Sequence, residues 1–433
     1  MATIAFFPEG AYGPTNNCAG IGAVLRARGH RVCFIVEESF AGTLEARGFE
    51  ERLVRLGPPS AQEQAPGQFW KDFVRDTAPV FRLPTVEQLE QFIAPTFKAL
   101  ADGARYVDDQ LGDILGELHA DAVVEDNVVA FPALASSGVP WIRIASCNPA
   151  EIKDEFVPPA FSGYPTEDPA GWGDYWEEYR RVIGPLSREH DEFCRARGAQ
   201  PLPDPEMIAA SPWLNIYVYP RELDYARATP MPGRWFRLES CVRDEQEDWA
   251  PPPGDGPLVY LSLGSLGSAD VELMQRLIDS LEPLRELRVV ASLGPQHELL
   301  KVPEHFSGAE YLPQTAVLRH ADVVITHAGN NTVTESIHFG CPMVALPIFW
   351  DQHDNAQRVD ECNFGIRLDT YGHEPDQLAA ALRRLIEERE LRGRLAAISR
   401  RLQESPGTVR AAEAIERVAS GAVAPAAPAA SAP

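Results

Sequence analysis

The sequence predicts an α/β protein with two Rossmann-like domains, each built on a doubly wound parallel sheet. Strand–helix–strand patterns begin both halves of the chain, and several strands are continuous apolar runs, as expected for a sheet covered on both faces. A proline-rich segment separates the halves. The chain has 433 residues, 45 % of them hydrophobic, which is enough for two separate cores.

The first domain is predicted to span residues 1–226. It begins with an apolar strand, IAFF, followed by a turn, PEGAYGPTNN, a helix through CAGIGAVLRARGH and a second strand, RVCFIV. Gly29 ends that helix, where a left-handed cap is favoured. The pattern recurs as DAVVED, a helix and WIRIA. These repeats predict adjacent parallel strands covered by helices.

The second half repeats the same pattern. Residues 227–257 contain three consecutive prolines and are predicted to be the interdomain linker. Strand and helix alternation then restarts at PLVYLSLGS, which predicts a second Rossmann-like domain over residues 258–405 and a terminal helix over residues 406–420. The remaining residues, 421–433, end in the low-complexity sequence AVAPAAPAASAP and are predicted to be disordered.

Composition excludes several classes of partner. The chain has 39 Lys and Arg against 63 Asp and Glu, a net charge of −24, which argues against binding nucleic acid or an anionic membrane surface. The sequence has no apolar run long enough to span a bilayer and no signal-peptide pattern, so a cytoplasmic location is expected. The seven cysteines are odd in number and never spaced CxxC, which is typical of reduced thiols.

A candidate anion site follows the strand ADVVIT. The next residues, HAGNNT, lie at a predicted helix start, where free backbone amides and the helix dipole attract a diphosphate and Gly329 permits close backbone approach. Glu335, one turn further on, is placed to accept hydrogen bonds from ribose hydroxyls. The residues predicted at this site are His327, Gly329, Asn330, Asn331, Thr332 and Glu335.

Two other strand ends carry suitable polar groups. Ser265, in LSLGS, is placed to donate to a phosphate. Asp351 and Gln352, in FWDQHDNA, follow the strand MVALPI. A carboxylate beside a carboxamide suits the vicinal hydroxyls of a sugar.

The segment YLPQTAVLRHADVVITHAGNNTVTESIHFGCPMVALPIFWDQHDNA resembles the donor-binding signature of the UDP-glycosyltransferases, a family of inverting enzymes that includes actinobacterial antibiotic glycosyltransferases. The PQ pair, HxGxN, the Glu four residues later and DQxxNA occur in the expected order and spacing. SLGS and the N-terminal RARGH also match. The resemblance therefore covers most of the chain.

The resemblance implies the GT-B fold, in which two Rossmann-like domains face each other across a cleft and a final helix crosses back to the first. The donor nucleotide would lie in the second domain and the acceptor largely in the first. By the same resemblance, Pro313 and Gln314 lie beside the uracil and Glu335 binds the ribose. The implied phosphate ligands are Ser265, His327, Asn331 and Thr332, and the implied sugar ligands are Asp351 and Gln352.

No DxD triplet occurs, so the ligands of a metal-bridged diphosphate are not evident. We expect the helix terminus and side-chain donors to neutralise the leaving group, without a metal or another cofactor. The resemblance implies a UDP-sugar as donor and a small-molecule acceptor, and Gln352 resembles the family's glucose-preferring form. The sequence does not predict the oligomeric state.

The family's catalytic histidine has no counterpart in the first turn. Aligning Gly29 and His30 with the family's GH places GPTNN over its GHxxP motif, and Pro14 then falls on the histidine. The aspartate partner of that histidine corresponds to Asp126, in VVEDNVV. The sequence thus predicts a glycosyltransferase without the usual general base.

Three mechanisms remain open. The acceptor could be an amine, a carboxylate or an acidic phenol, which needs little help from a base. Alternatively, Asp126 could accept the proton directly, with Glu9 as a weaker candidate. The third possibility is a catalytically silent protein that binds a nucleotide sugar, and a nucleotide-sugar epimerase is a more remote alternative.

The acceptor is expected to be a hydrophobic small molecule held in an apolar cleft of the first domain. The candidates for this pocket are side chains in the first turn, in the segments QFWKDF and VFRLP, and in the long loop before Tyr179. They are Tyr12, Asn16, Phe69, Trp70, Phe81, Trp172 and Trp176.

Overall fold

The computed structural model describes residues 1–58, 72, 75–231, 233–243 and 249–426. Phe69 and Trp70 lie outside the described residues, as does most of the predicted disordered tail. Among the described residues of that tail, the amide of Ala426 donates to the carbonyl of Pro212 in the first domain, at 2.8 Å. The described helices include none that is both long and apolar enough to cross a membrane.

The first domain contains a seven-stranded sheet in the order β3-β2-β1-β4-β5-β6-β7, with all neighbours parallel. Its strands are β1 Thr3–Pro8, β2 Arg31–Glu37, β3 Glu50–Val54, β4 Ala122–Asp126, β5 Trp141–Ala145, β6 Leu214–Val218 and β7 Trp235–Leu238. Strand β7 lies within residues 227–257, which were predicted to be the linker. It pairs with β6 and therefore belongs to the first sheet. The sheet therefore extends beyond the boundary predicted at residue 226.

The described helices around this sheet include α1 Tyr12–Ala27, α2 Ala94–Leu118, α3 Pro132–Ser136 and α4 Trp172–Ala196, and a short helical turn, Thr85–Gln88, precedes α2. Helix α1 begins at Tyr12, so most of the stretch predicted to be a turn is helical. Pro14 is tolerated there because amides in the first turn of a helix have no intrahelical acceptor. A π-helical turn, Leu89–Ile93, leads directly into α2.

The second sheet has six described strands in the order β10-β9-β8-β11-β12-β13, again all parallel. They are β8 Leu258–Ser262, β9 Arg288–Ser292, β10 Ser307–Ala309, β11 Val323–Thr326, β12 Met343–Ala345 and β13 Gly365–Arg367. The helices of this half are α5 Gly264–Gly267, α6 Val271–Leu281, α7 Gln314–Leu318, α8 Asn330–Phe339, α9 Gln352–Glu361, α10 Pro375–Glu387, α11 Arg389–Glu404 and α12 Gly407–Ala419.

The terminal helix α12 returns to the first domain and packs on α1. Its buried residues share one apolar cluster with α1 and with one face of the first sheet. At the edge of this contact Arg28 pairs with Glu416 at 2.8 Å, and His30 lies 3.1 Å from the same carboxylate. The chain thus connects its two domains both through residues 239–257 and through this helix.

Candidate active site

The main cavity has a volume of about 540 Å³ and lies between the carboxyl ends of the two sheets. Its walls include residues just after β1, β5, β8, β9 and β11. Loops at the carboxyl ends of parallel strands are where α/β proteins bind ligands. The cavity is therefore positioned for a donor held by one domain and an acceptor held by the other.

The N-terminus of α8 forms part of the cavity wall at which the sequence predicts donor binding, called the donor wall below. Gly329 is its N-cap residue, with extended backbone and no side-chain capping bond, and Gly329, Asn331 and Thr332 all line the cavity. Ser265 also lines the cavity, in the helical turn after β8, the strand next to β11. Uncapped first-turn amides favour an anionic group at this position.

His327 lines the cavity between two glycines. A Cβ atom on Gly264 would lie 2.6 Å from its ring, and one on Gly329 would lie 2.4 Å from its Nε2 atom, so both glycines make room for the imidazole. Burial lowers the pKa of His327 to about 4, so the ring is neutral at pH 7. The single N–H of the neutral ring can donate either to the Ser262 backbone, with which the ring forms a hydrogen bond, or to a phosphate oxygen.

Asn330 and Asn331 make contacts that the sequence did not predict. Asn330 Nδ2 donates to the carbonyls of Ser146 and Val218 in the first domain, at 2.8 and 2.9 Å. Asn331 Nδ2 donates to the Gly13 carbonyl, and its Oδ1 accepts from Asn17, both at 3.0 Å. Both side-chain amides therefore connect the two domains, because α8 lies against the first domain here. Both residues also line the cavity.

Glu335 is held by two cavity residues. Its carboxylate accepts from Gln314 Nε2 at 2.7 Å and from Arg243 Nη1 at 2.8 Å. Gln314 also contacts Thr332 Oγ1 at 3.3 Å. Arg243 comes from the connection after β7, and the sequence analysis gave no reason to select it. Pro313 is the N-cap residue of α7 and does not itself line the cavity.

Asp351 and Gln352 line the cavity at the start of α9. Asp351 Oδ2 accepts from the Asn148 amide at 2.8 Å, and burial raises the pKa of Asp351 to about 7. Gln352 Oε1 accepts from the amides of Ile348 and Phe349, at 3.0 and 3.2 Å. These bonds fix the orientation of the carboxamide and leave its NH₂ group as a donor.

Glu9, rather than Asp126, reaches the cavity. Glu9 follows β1 and lines the cavity, and burial raises its pKa to about 7. Asp126 is buried behind Ser146, whose Oγ donates to Asp126 Oδ1 at 2.7 Å, and burial raises the pKa of Asp126 well above its usual range. Among these three residues, Ser146 and Glu9 face the cavity and Asp126 does not. Pro14 lines it as well, and its assignment to the histidine position stays a prediction.

The acceptor wall agrees with the sequence predictions at some positions and differs at others. Tyr12 and Asn16 line the cavity. Phe81 does not, but it packs against two lining residues, Phe92 at 4.9 Å and Phe349 at 5.0 Å between ring centroids. Other apolar lining residues were missed: Phe92, Leu100, Val128, Phe349 and Trp350. Phe349 and Trp350 directly precede the Asp351–Gln352 pair, and this adjacency was the available signal.

Trp172 and Trp176 do not line the main cavity. Trp172 is the first residue of α4, and Trp176 lines a separate cavity of about 220 Å³ in the first domain. The long loop before α4 runs between α2 and α9, since Phe161 within it contacts Phe97 at 6.3 Å and its amide donates to Asp354 at 2.6 Å. This path corrects their predicted placement.

The fold and the site define a GT-B glycosyltransferase: two parallel sheets face each other across a cavity that carries an uncapped helix N-terminus on one side and an apolar wall on the other. Comparisons with known proteins agree with this class. Residues 239–407 match the family model described as UDP-glucoronosyl and UDP-glucosyl transferase. Over these residues the chain is similar to the UDP-glycosyltransferase family, and the comparisons support a glycosyltransferase activity.

The similarity to individual relatives extends over almost the whole chain. Oleandomycin glycosyltransferase of Streptomyces antibioticus is 26 % identical over 426 residues, 96 % of this chain and 90 % of that protein. Zeaxanthin glucosyltransferase of Pantoea ananas is 26 % identical over 421 residues, 91 % and 90 % of the two chains. The solved structure of the glycotransferase of kitacinnamycin has a TM-score of 0.68 at 23 % identity, covering 96 % of this chain and 98 % of that one.

Proposed function

We propose that the protein transfers glucose from UDP-glucose, with inversion, to a hydrophobic small molecule bearing a hydroxyl group. The observation that carries this proposal is the shared cavity, in which Glu9 and the donor residues around His327 line the same space. Gln352 beside Asp351 supports a hexose donor by hydrogen bonding to its hydroxyls. The name of the zeaxanthin enzyme agrees with a glucosyl donor and an apolar acceptor.

In the proposed reaction Glu9 accepts the proton of the acceptor hydroxyl. The acceptor oxygen attacks C1 of the glucose from the face opposite the diphosphate, the new C1–O bond forms, and the bond from C1 to the phosphate oxygen breaks. UDP leaves with both electrons of that bond. An α-linked donor thus gives a β-linked product. A pKa of about 7 suits Glu9 for this task at neutral pH.

Ser146 and Asp126 would position the reacting groups. The bond from Ser146 Oγ to Asp126 fixes the hydroxyl that borders the cavity. The first-turn amides of α8 and a neutral His327 would stabilise the charge on UDP, so we propose that transfer requires no divalent cation. Activity should then be the same in EDTA and in Mg²⁺.

The proposal is tested by a mass-spectrometric screen for hexose addition to alcohols, phenols, carboxylic acids and amines, with UDP-glucose and dTDP-glucose as donors. Glu9→Gln should reduce transfer to alcohols by about 10²- to 10⁴-fold, and Asp126→Asn should reduce it less. Transfer restricted to amines or acids, and unchanged in Glu9→Gln, would mean that the acceptor arrives already nucleophilic. UDP binding without transfer to any acceptor would contradict the proposed activity.

A further inference from the structure

The 220 Å³ cavity in the first domain, called the inner cavity below, adjoins the main cavity. Two residues, Val128 and Trp350, line both of them. Trp350 has the larger of these two side chains and lies at the boundary between the cavities. Trp350 directly precedes Asp351, which places this boundary beside the predicted sugar position.

Trp350 is held in a backbone conformation that rarely suits a bulky residue. Its φ is +58°, in the left-handed region, where a side chain costs about 1–2 kcal/mol relative to glycine. Its ring lies 4.6 Å from Phe161 and 5.2 Å from Phe97, measured between centroids. Phe161 also has a positive φ, of +70°. Two strained aromatic residues thus meet at the boundary between the cavities.

The inner cavity is aromatic and electrically balanced. Trp176, Tyr179 and Trp235 form much of its wall. Its two cations are each neutralised, since Arg143 pairs with Glu151 at 2.9 Å and Lys153 pairs with Glu206. A charged ligand would have no counter-ion left to pair with, whereas a flat neutral ring system would contact the aromatic walls.

We propose that the inner cavity is the distal compartment of the acceptor site, that it receives the far end of a neutral, fused aromatic acceptor, and that Trp350 is the gate that limits acceptor length. This inference rests on the proposed function, because it assumes that the acceptor occupies the main cavity. It assigns the inner cavity a substrate class: elongated, uncharged ring systems that carry the reacting hydroxyl at one end.

The test compares two acceptors with the same hydroxyl, phenol and its fused three-ring analogue 2-hydroxyanthracene. Ala160→Leu narrows the inner cavity, because Ala160 lines that cavity and not the main one. Trp350→Gly removes the gate and places glycine at a positive φ. Ala135→Leu, at an exposed position in α3, is the matched control. Melting temperatures establish that each variant folds.

The measured quantity is the ratio of kcat/KM for 2-hydroxyanthracene to that for phenol. Ala160→Leu should lower this ratio by about tenfold, Trp350→Gly should raise it by about tenfold, and the double variant should cancel the gain. The control should leave it unchanged. A ratio that is the same in the wild-type protein and in both single variants would contradict the proposal that the inner cavity receives the acceptor.

A binding titration separates this inference from the proposed function. Quenching of tryptophan fluorescence by 2-hydroxyanthracene, with UDP present, needs no chemistry. If the wild-type protein transfers glucose to neither acceptor, the proposed function fails for these compounds. The titration still shows whether the acceptor binds in the inner cavity. Affinity that falls in Ala160→Leu and not in Ala135→Leu supports it, and equal affinity in all variants rejects it.

Discussion

Glu9 lies at the carboxyl end of β1, where its amide donates to the Asp126 carbonyl at 3.0 Å. The two carboxyl groups differ in their access to the cavity, because Ser146 stands between Asp126 and that space. A proton acceptor must come within hydrogen-bond reach of the acceptor hydroxyl. This requirement favours Glu9, although Asp126 was the stronger candidate from sequence alone.

The pH dependence of transfer should reveal Glu9. A base works in its deprotonated form, so kcat/KM for an alcohol should rise with pH and level off above about pH 7, the pKa to which burial raises Glu9. Glu9→Gln should remove this rise, and Asp126→Asn should keep it. If the rise persists in Glu9→Gln, another group such as Asp351 controls it, and the assignment of Glu9 is wrong.

At the scale of single elements, the N-terminus of α8 combines two tasks. Its first-turn amides border the cavity, and the Asn330 and Asn331 side chains hold the first domain. A donor that binds to this helix thus contacts the element that joins the domains.

Gly329→Ala should weaken UDP binding by about tenfold. The backbone of Gly329 suits alanine, with φ at −60°, but the new Cβ would lie 2.4 Å from His327 Nε2 and displace the ring. Losing one hydrogen bond to a charged phosphate, about 1.5 kcal/mol, gives that factor. Calorimetric titration with UDP measures it. Gly393→Ala, in α11 with open space around it, is the control, and equal affinities in the two variants would contradict the role of His327.

The terminal helix α12 should derive its stability from its apolar face. Ile415 is fully buried against α1, so Ile415→Ala should lower the free energy of unfolding by about 2–4 kcal/mol. Glu416→Ala, one residue away, removes partly exposed ion pairs and should cost less than about 1 kcal/mol. Urea denaturation compares the two variants. A larger loss for Glu416→Ala would mean that charge, not packing, attaches this helix.

For the whole molecule, the unusual feature is the number of buried carboxyl groups with raised pKa values. Burial raises the pKa of Glu9, Asp351 and Asp354 to about 7 and that of Glu125 to about 8. Asp354 accepts hydrogen bonds from the amides of Phe161 and Gly163, at 2.6 and 2.8 Å, across the domain boundary. The folded state therefore favours the protonated forms.

The protein should melt at a lower temperature as pH rises from about 4.5 to 8. The unfolded chain ionises these groups near pH 4, so it binds fewer protons than the folded chain in this window, and folding stability falls. The melting temperature at pH 8 should be lower than at pH 6 by on the order of 5 °C. Glu125→Gln should reduce that difference. The control is to repeat the melting measurements in high salt. Salt screens the surface charges that make up the net charge of −24 but acts much less on buried groups, so the pH-dependent difference should remain.

The sequence by itself determined the architecture and which polar residues follow β11 and β12, whose donor-binding roles stay a prediction. Apolar strands and helix periodicity are local patterns, and the donor residues are close together along the chain, following β11 and β12. Their local order therefore sufficed to predict them. The first domain extends beyond the end predicted at residue 226, because β7 joins the first sheet by pairing with β6. The proline content of this segment does not indicate that contact.

Only the tertiary structure shows which of the candidate base and acceptor-pocket residues line the main cavity. The choice between Glu9 and Asp126 as the proton acceptor depends on which of the two side chains Ser146 covers. Arg243 pairs with Glu335 although the two residues are 92 positions apart in the sequence. Of the two tryptophans predicted for the acceptor pocket, Trp176 lines the inner cavity and Trp172 lines neither cavity. Such facts depend on the approach of distant segments, which is set by packing between domains and has no local sequence pattern.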